Sequence, residues 1–135
     1  MVSSPKINME IVRSLYSAFA AGDIPSILSM LSDNVEWREP ENPYNPAGGT
    51  RVGHSGFLEW VNIGKDAEEI LVLAPQKMLA DADSVAVVGH MKCRAISTGK
   101  VYESDFVHVV TIHDGKIRRF QEFFDTYVAG EAFRQ

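Results

Sequence analysis

A single cysteine, Cys93, leaves no partner for a disulfide within the chain, and no CxxC or His/Cys cluster offers zinc a site. That scarcity fits a reducing compartment, and a cytoplasmic location is expected. Long apolar runs are missing as well: nothing approaches the roughly 20 residues needed to cross a bilayer, and MVSSPKINMEIV lacks the continuous apolar segment of a signal peptide. Positive charge is scarce too. With 13 Lys and Arg against 18 Asp and Glu the net charge is −5, so nucleic acid and anionic membrane are not expected as partners. The four histidines form no HxH or HExxH, GGTRVG lacks the GK[ST] of a phosphate loop, and no GxSxG elbow occurs. No metal and no cofactor are therefore expected.

What is present suffices for one domain over residues 1–135, with enough apolar side chains to bury a core. Ile7, Ile11, Leu15 and Phe19 recur at spacing four and predict a helix over residues 7–21, ended by Gly22. Asp23 caps a second, shorter helix with Pro25 in its first turn, burying Ile27, Leu28, Met30 and Leu31 and broken by Ser32-Asp33-Asn34. VEWREP alternates as a short strand stopped by Pro40, so its inward face, Val35, Trp37 and Glu39, ends in a carboxylate. The stretch 39–53, rich in Pro and Gly, reads as a loop of the kind that covers a binding site. Ser55 caps a third helix with Phe57, Leu58 and Val61 inward, fading near Gly64. Strands follow at about 69–79, 84–96, 101–112 and 116–125, then a short helix around 127–133. Helices first and strands at hairpin spacing afterwards predict segregated α+β: a curved antiparallel sheet with helices on one face.

Within HDGKIRRFQEFFD, Glu122 lies between Phe120 and Phe124 on one side of the last strand. A three-residue loop, His113-Asp114-Gly115, pairs Ile112 with Lys116, Val110 with Arg118, His108 with Phe120 and Phe106 with Glu122. A two-residue Thr98-Gly99 turn brings Gly89, Met91 and Cys93 onto the same face. That face carries Val85, Val87, Met91, Cys93, Phe106, Val110, Ile112, Phe120 and Phe124, and it is the expected concave side. His108 and Glu122 are diagonal neighbours there, roughly 7–8 Å apart at Cα. Buried ionisable groups must pair, meet water or serve a ligand. His90, Lys92 and Arg94 fall on the opposite face, toward solvent or a partner subunit.

YSAFAAGD on the first helix, MLSDNVEWREP, GTRVGHSGFLEW and the terminal FVHVVTIHDGKIRRFQEFFDT, in that order, resemble the SnoaL-like polyketide cyclase and ketosteroid isomerase-like group of the nuclear transport factor 2-like superfamily. The resemblance covers nearly the whole chain. It implies a cone-shaped α+β barrel of cystatin-like topology, a curved, mainly antiparallel sheet closed by three N-terminal helices around an apolar pocket, and a homodimer through the outer sheet face. It implies isomerase or cyclase-like lyase chemistry without a cofactor. Position by position, Glu39 before Pro40 matches the isomerase's proton-moving Asp-Pro, His108 falls at its oxyanion-stabilising aspartate, and Glu122 at the acid/base aspartate of the cyclases. Leu15 stands where the isomerase has its oxyanion tyrosine; Tyr16 lies about 100° around the helix and is not expected to replace it.

The resulting expectation is acid/base chemistry, as isomerisation, aldol-type cyclisation or dehydration, on a small, largely apolar carbonyl compound. Glu39 takes the proton, His108 stabilises the oxyanion, and Glu122 orients His108 or acts as the second acid/base group. The pocket wall is assigned to Tyr16, Trp37, Val85, Val87, Met91, Phe106, Val110, Phe120 and Phe124, with Tyr44 and His54 flanking the loop as a gate. Plainer readings stand beside these: Glu39 in water or paired with Arg51, Glu122 bridged to Arg118 or His108, and His108 as a satisfied core histidine. A ligand-binding module without turnover, and an interaction domain using its sheet face, remain the alternatives.

Overall fold

Ser4 accepts a hydrogen bond from the Ile7 N–H at 3.1 Å and so begins α1, Pro5–Ala21, in a computed structural model that describes residues 4–135. Residues 1–3, part of the expected domain and of the MVSSPKINMEIV segment, lie outside the described residues. Gly22, at φ 67°, ends α1 in the left-handed conformation that a Cβ disfavours. Asp23 caps α2, Ile24–Met30, by accepting from the Ser26 N–H at 3.2 Å. Of the side chains expected inward from this helix, Ile27 is buried whereas Leu28 and Met30 are half-buried.

Then come β1 (Leu31–Glu39), β2 (Gly49–Val52), α3 (Gly53–Ala67), β3 (Glu68–Ala80), β4 (Ser84–Ala95), β5 (Val101–His113), β6 (Lys116–Phe124) and α4 (Thr126–Phe133). The six strands make one curved, unclosed sheet in the order β2-β1-β6-β5-β4-β3. Every pairing is antiparallel except β1 with β6. Helices α1 and α3 cover the concave face, and the α+β cone expected from the sequence is the observed architecture.

Four local readings are corrected. Leu31 and Ser32-Asp33-Asn34 belong to β1, where the register with β6 shifts between Leu31 and Glu36. The 39–53 stretch contains a strand, β2, since Gly49 to Val52 pair with Glu39 to Glu36. The N-cap of α3 is Val52, with no side-chain capping bond, so Ser55 lies inside the helix. Leu58 points outward and is 36% exposed, while Phe57 is fully buried.

Both hairpin registers differ by two residues from expectation. In the β5–β6 hairpin the loop is Asp114-Gly115, at φ 49° and 75°, with His113 opposite Lys116. Uninterrupted, that shorter loop would have turned His108 and Glu122 to opposite faces. The register shifts again between Thr111 and Ile112, leaving Arg118 as an extra residue that restores the faces, so His108 stands directly opposite Glu122. In the other hairpin the chain runs through Ile96–Lys100, closed by the Ala95 N–H to Lys100 carbonyl bond at 2.8 Å, and His108 faces Val87, not Gly89. Gly89 instead faces Phe106, and a Cβ there would overlap both that ring and the Ala74 carbonyl oxygen. The missing side chain lets Phe106 lie flat on the sheet.

Candidate active site

The concave face is filled at one end and open at the other. Asn8 Nδ2 donates to the Asp81 and Ala82 carbonyls at 3.1 and 3.0 Å, pinning the start of α1 onto the β3–β4 turn. Val85, Val87, Phe106 and Val110, all expected in the pocket wall, are consequently packed into solid core beneath this helix and do not line the cavity. The opening lies toward the other end of α1. There an inner cavity of about 70 Å³ meets an outer one of about 310 Å³, the two sharing Phe19, Glu39, Trp60, Glu68 and Ile70.

Tyr16, Trp37, Met91, Phe120 and Phe124 line the inner cavity as expected, together with Glu39, His108 and Glu122. Tyr44 and His54 do not gate it. Tyr44 is 47% exposed beneath the Arg134 guanidinium, and His54 Nε2 bonds the Leu31 carbonyl at 3.2 Å, tying α3 to β1. The loop after β1 acts differently from a lid: it carries Asn45 to Glu39 and Ala47 to the outer cavity.

Glu39 is buried, and each of its oxygens receives a proton donor. Trp60 Nε1 donates to Oε1 at 2.9 Å, and Asn45 Nδ2 to Oε2 at 2.7 Å. Burial raises the Glu39 pKa, and these two donors with the Arg51 charge work against the rise. Arg51 itself makes no bond to Glu39; it donates to the Ala47 carbonyl at 2.7 Å.

Glu122 has the opposite surroundings. Its side chain is 12% exposed, and among the described residues it makes no hydrogen bond. Arg118 does not bridge to it. Burial first, then the charges of Glu39 and Glu68, hold Glu122 well above the usual carboxylate range. His108 Nε2 lies 4.0 Å from Glu122 Oε2, but burial pulls the imidazole down to about 3. Near neutral pH the ring is neutral, so this contact is not an ion pair, and burial favours the protonated form of the Glu122 carboxyl.

The His108 ring is fixed by its neighbours. Phe106 stacks on it at 4.2 Å, and the Tyr16 hydroxyl meets Nδ1 at 2.5 Å. Tyr16 thus enters the site although Leu15 holds the position expected to matter; Leu15 is core, 2% exposed. Burial raises the Tyr16 pKa, so the phenol keeps its proton, and Nδ1 is its hydrogen-bond partner among the described residues. Tyr16 therefore donates, leaving the neutral ring with its proton on Nε2, toward Glu122. Tyr16→Phe should remove this bias. Imidazole ¹⁵N shifts will show the Nε2–H tautomer in the wild type and a mixture in the variant, with about 1 kcal/mol of stability lost; unchanged tautomers would contradict the assignment.

Sequence reasoning missed Asn45, Trp60, Glu68 and Tyr102. Trp60 was within reach, since Phe57, Trp60, Val61 and Gly64 follow helical spacing. Glu68 sits at the junction of α3 and β3, where no periodicity marks a face. Its Oε2 accepts from the Tyr102 hydroxyl at 2.6 Å, and burial pushes its pKa up to about 7. Among the described residues no group of three or more His, Cys, Asp or Glu has the disposition to hold a metal ion.

The SnoaL-like domain model matches residues 12–120. The chain belongs to the SnoaL-like family. Its solved structural relatives include an NTF2-like protein from Burkholderia xenovorans LB400, 27% identical over 98% of this chain and 99% of that one, with a TM-score of 0.90. TerC, co-crystallised with polyporic acid, is 31% identical over 96% of this SnoaL-like chain and 99% of its own, with a TM-score of 0.82. The uncharacterised protein YesE of Bacillus subtilis (strain 168) is 23% identical over 92% of this chain and 85% of its own.

Proposed function

We propose that this SnoaL-like domain carries out acid/base chemistry on a small, largely apolar carbonyl compound, using protein groups alone. The observation that carries the reading is the contrast between two carboxyl groups on one cavity. Glu39 accepts an N–H at each oxygen, which suits the carboxylate; Glu122 accepts none, which suits the acid. Environments that push two titrating groups apart separate the base from the acid. Glu39 takes a proton from carbon beside the carbonyl. His108, neutral and held by Tyr16, donates from Nε2 to the oxygen as charge develops there, and Glu122 delivers a proton to the enolate. Isomerisation, aldol-type cyclisation and dehydration share the formation of this enolate; Glu122 protonates its carbon in the first, the new alkoxide in the second and the departing hydroxide in the third. The polyporic acid complex of TerC supports a small-molecule ligand in a relative at 31% identity.

Exchange of carbon-bound hydrogen for solvent deuterium, followed by NMR across a panel of apolar ketones and enones, tests the proposal without knowledge of the product. Exchange catalysed by the wild type should fall by about 10²–10⁴-fold in both Glu39→Gln and Glu122→Gln. Exchange that survives in both variants would refute the roles of base and acid.

A ligand-binding role without turnover uses the same cavity, and the small inner volume of about 70 Å³ is the feature in its favour. Tight binding with no exchange would select it. The homodimer is proposed on the outer sheet face, where Phe123 is 47% exposed beside half-buried Val107 and Val109.

A further inference from the structure

The inner cavity holds one carboxyl group more than the proposed proton transfer uses. Glu68 lies at the neck shared by the two cavities, and the Tyr102 hydroxyl is its one hydrogen-bond partner among the described residues. No Lys or Arg lines the inner cavity. The nearby cations are directed elsewhere: Arg51 donates to the Ala47 carbonyl and pairs with Glu59 at 3.4 Å, and Lys65 lines only the outer cavity. A separate feature points the same way. The Glu122 carboxyl, on a side chain 12% exposed and facing the cavity, has no hydrogen-bond donor from the protein among the described residues. Around these three acids stand the rings of Tyr16, Phe19, Trp37, Trp60, Tyr102 and Phe120. Carboxyl groups and aromatic faces, with no cation in the wall, complement a positive charge brought by the ligand.

Resting on the reading of this cavity as a ligand site, we propose that the ligand is an apolar amine whose ammonium group is held by Glu68 at the neck, beside Glu39. Its hydrocarbon part then fills the outer cavity against Ile24, Ile27 and Val61. Ammonium N–H groups meet carboxylate oxygens in charge-assisted bonds, and the rings add cation–π attraction. The same wall repels carboxylate, phosphate and sulfate ligands. Three carboxyl groups titrate around this point, because Tyr102 is raised by burial and Cys93 is pushed up to about 12, so both stay protonated.

Three probes with one ring system separate this claim from the reading beneath it. 2-Naphthylmethylamine, 2-naphthylmethanol and 2-naphthoate are titrated calorimetrically into the wild type and into Glu68→Gln. At about pH 8 the amine should bind at least about ten-fold tighter than the alcohol, and the naphthoate weaker than either. E68Q should weaken the amine by about ten-fold and the alcohol by less than about two-fold, since the side-chain amide of the variant still accepts from the Tyr102 hydroxyl. Lowering the pH to about 6 should weaken the amine alone, as the carboxyl groups take up protons. An alcohol that binds as tightly as the amine would overturn the amine assignment while sparing the cavity as a ligand site. Failure of all three probes to bind would overturn both.

Discussion

Raising the pH from about 6.5 to about 8 should destabilise the protein, and Glu68→Gln should remove part of that loss. The folded state lifts Glu68 from 4.5 to about 7, chiefly by burial. Between those values the folded chain keeps a proton that the unfolded chain sheds, so stability declines as pH rises; above about 7 the loss is complete at about 3 kcal/mol. Glu122 and Glu39 act in the same direction, Glu122 over a wider range. His108 acts in the other direction: lowered from 6.5 to about 3, it costs stability as pH falls below 6.5, when the unfolded chain gains a proton. The two slopes oppose each other between 4.5 and 6.5, so the decline stands unopposed only above 6.5. His90, raised by its hydrogen bonds to Asp105 and Glu103, adds to that decline from the outer face, which is why the variants carry the assignment. Urea denaturation at both pH values will show E68Q losing about 1 kcal/mol less than the wild type, and E122Q more stable than the wild type at the higher pH. Parallel losses in all three proteins would contradict it.

Trp37→Ala should be the most damaging single change among the cavity residues, at about 3–5 kcal/mol. Trp37 is 1% exposed and stacks on Phe120, its partner across the parallel β1–β6 pair, at 4.1 Å and 8°. Phe57 meets it edge-on at 4.6 Å, and Trp60 lies at 5.1 Å. Removing the indole unstacks Phe120 and frees Trp60, whose N–H holds Glu39, so stability and the Glu39 environment change together. Trp37→Phe should cost less than half as much. It keeps a ring on Phe120 and removes an indole N–H that is buried with no hydrogen-bond partner among the described residues. Equal losses in the two variants, measured by thermal unfolding, would contradict this picture.

The face shared by His108, Glu122 and Phe120 was legible in the sequence because both register errors were even. A shift of two residues leaves every side chain on its own face. The finer pairing was not legible, because the extra residue at Arg118 follows from twist and closure within the sheet and not from any composition signal. Trp37 and Glu39 could be read from alternation alone. The bond from Tyr16 to His108 could not, since it depends on how α1 crosses β3 and β4, a tertiary property. Val85, Val87 and Val110 were misplaced for the same reason: alternation gives the face, whereas the pinning of α1 by Asn8 decides which part of that face is solid. Glu68 and Asn45 reach the site from a junction and a loop, where position is set by packing and no periodic pattern exists.

One cavity is proposed to hold Glu39 as the carboxylate and Glu122 as the acid near neutral pH. Carboxyl ¹³C shifts, assigned with Glu39→Gln, Glu68→Gln and Glu122→Gln and followed from about pH 3 to about pH 9, measure this directly. Glu122 should be the last carboxyl group to ionise, still protonated when Glu39 has lost its proton, and Glu68 should titrate at about 7, before Glu122. Ionisation of Glu122 at the ordinary carboxyl value of 4.5 would contradict it.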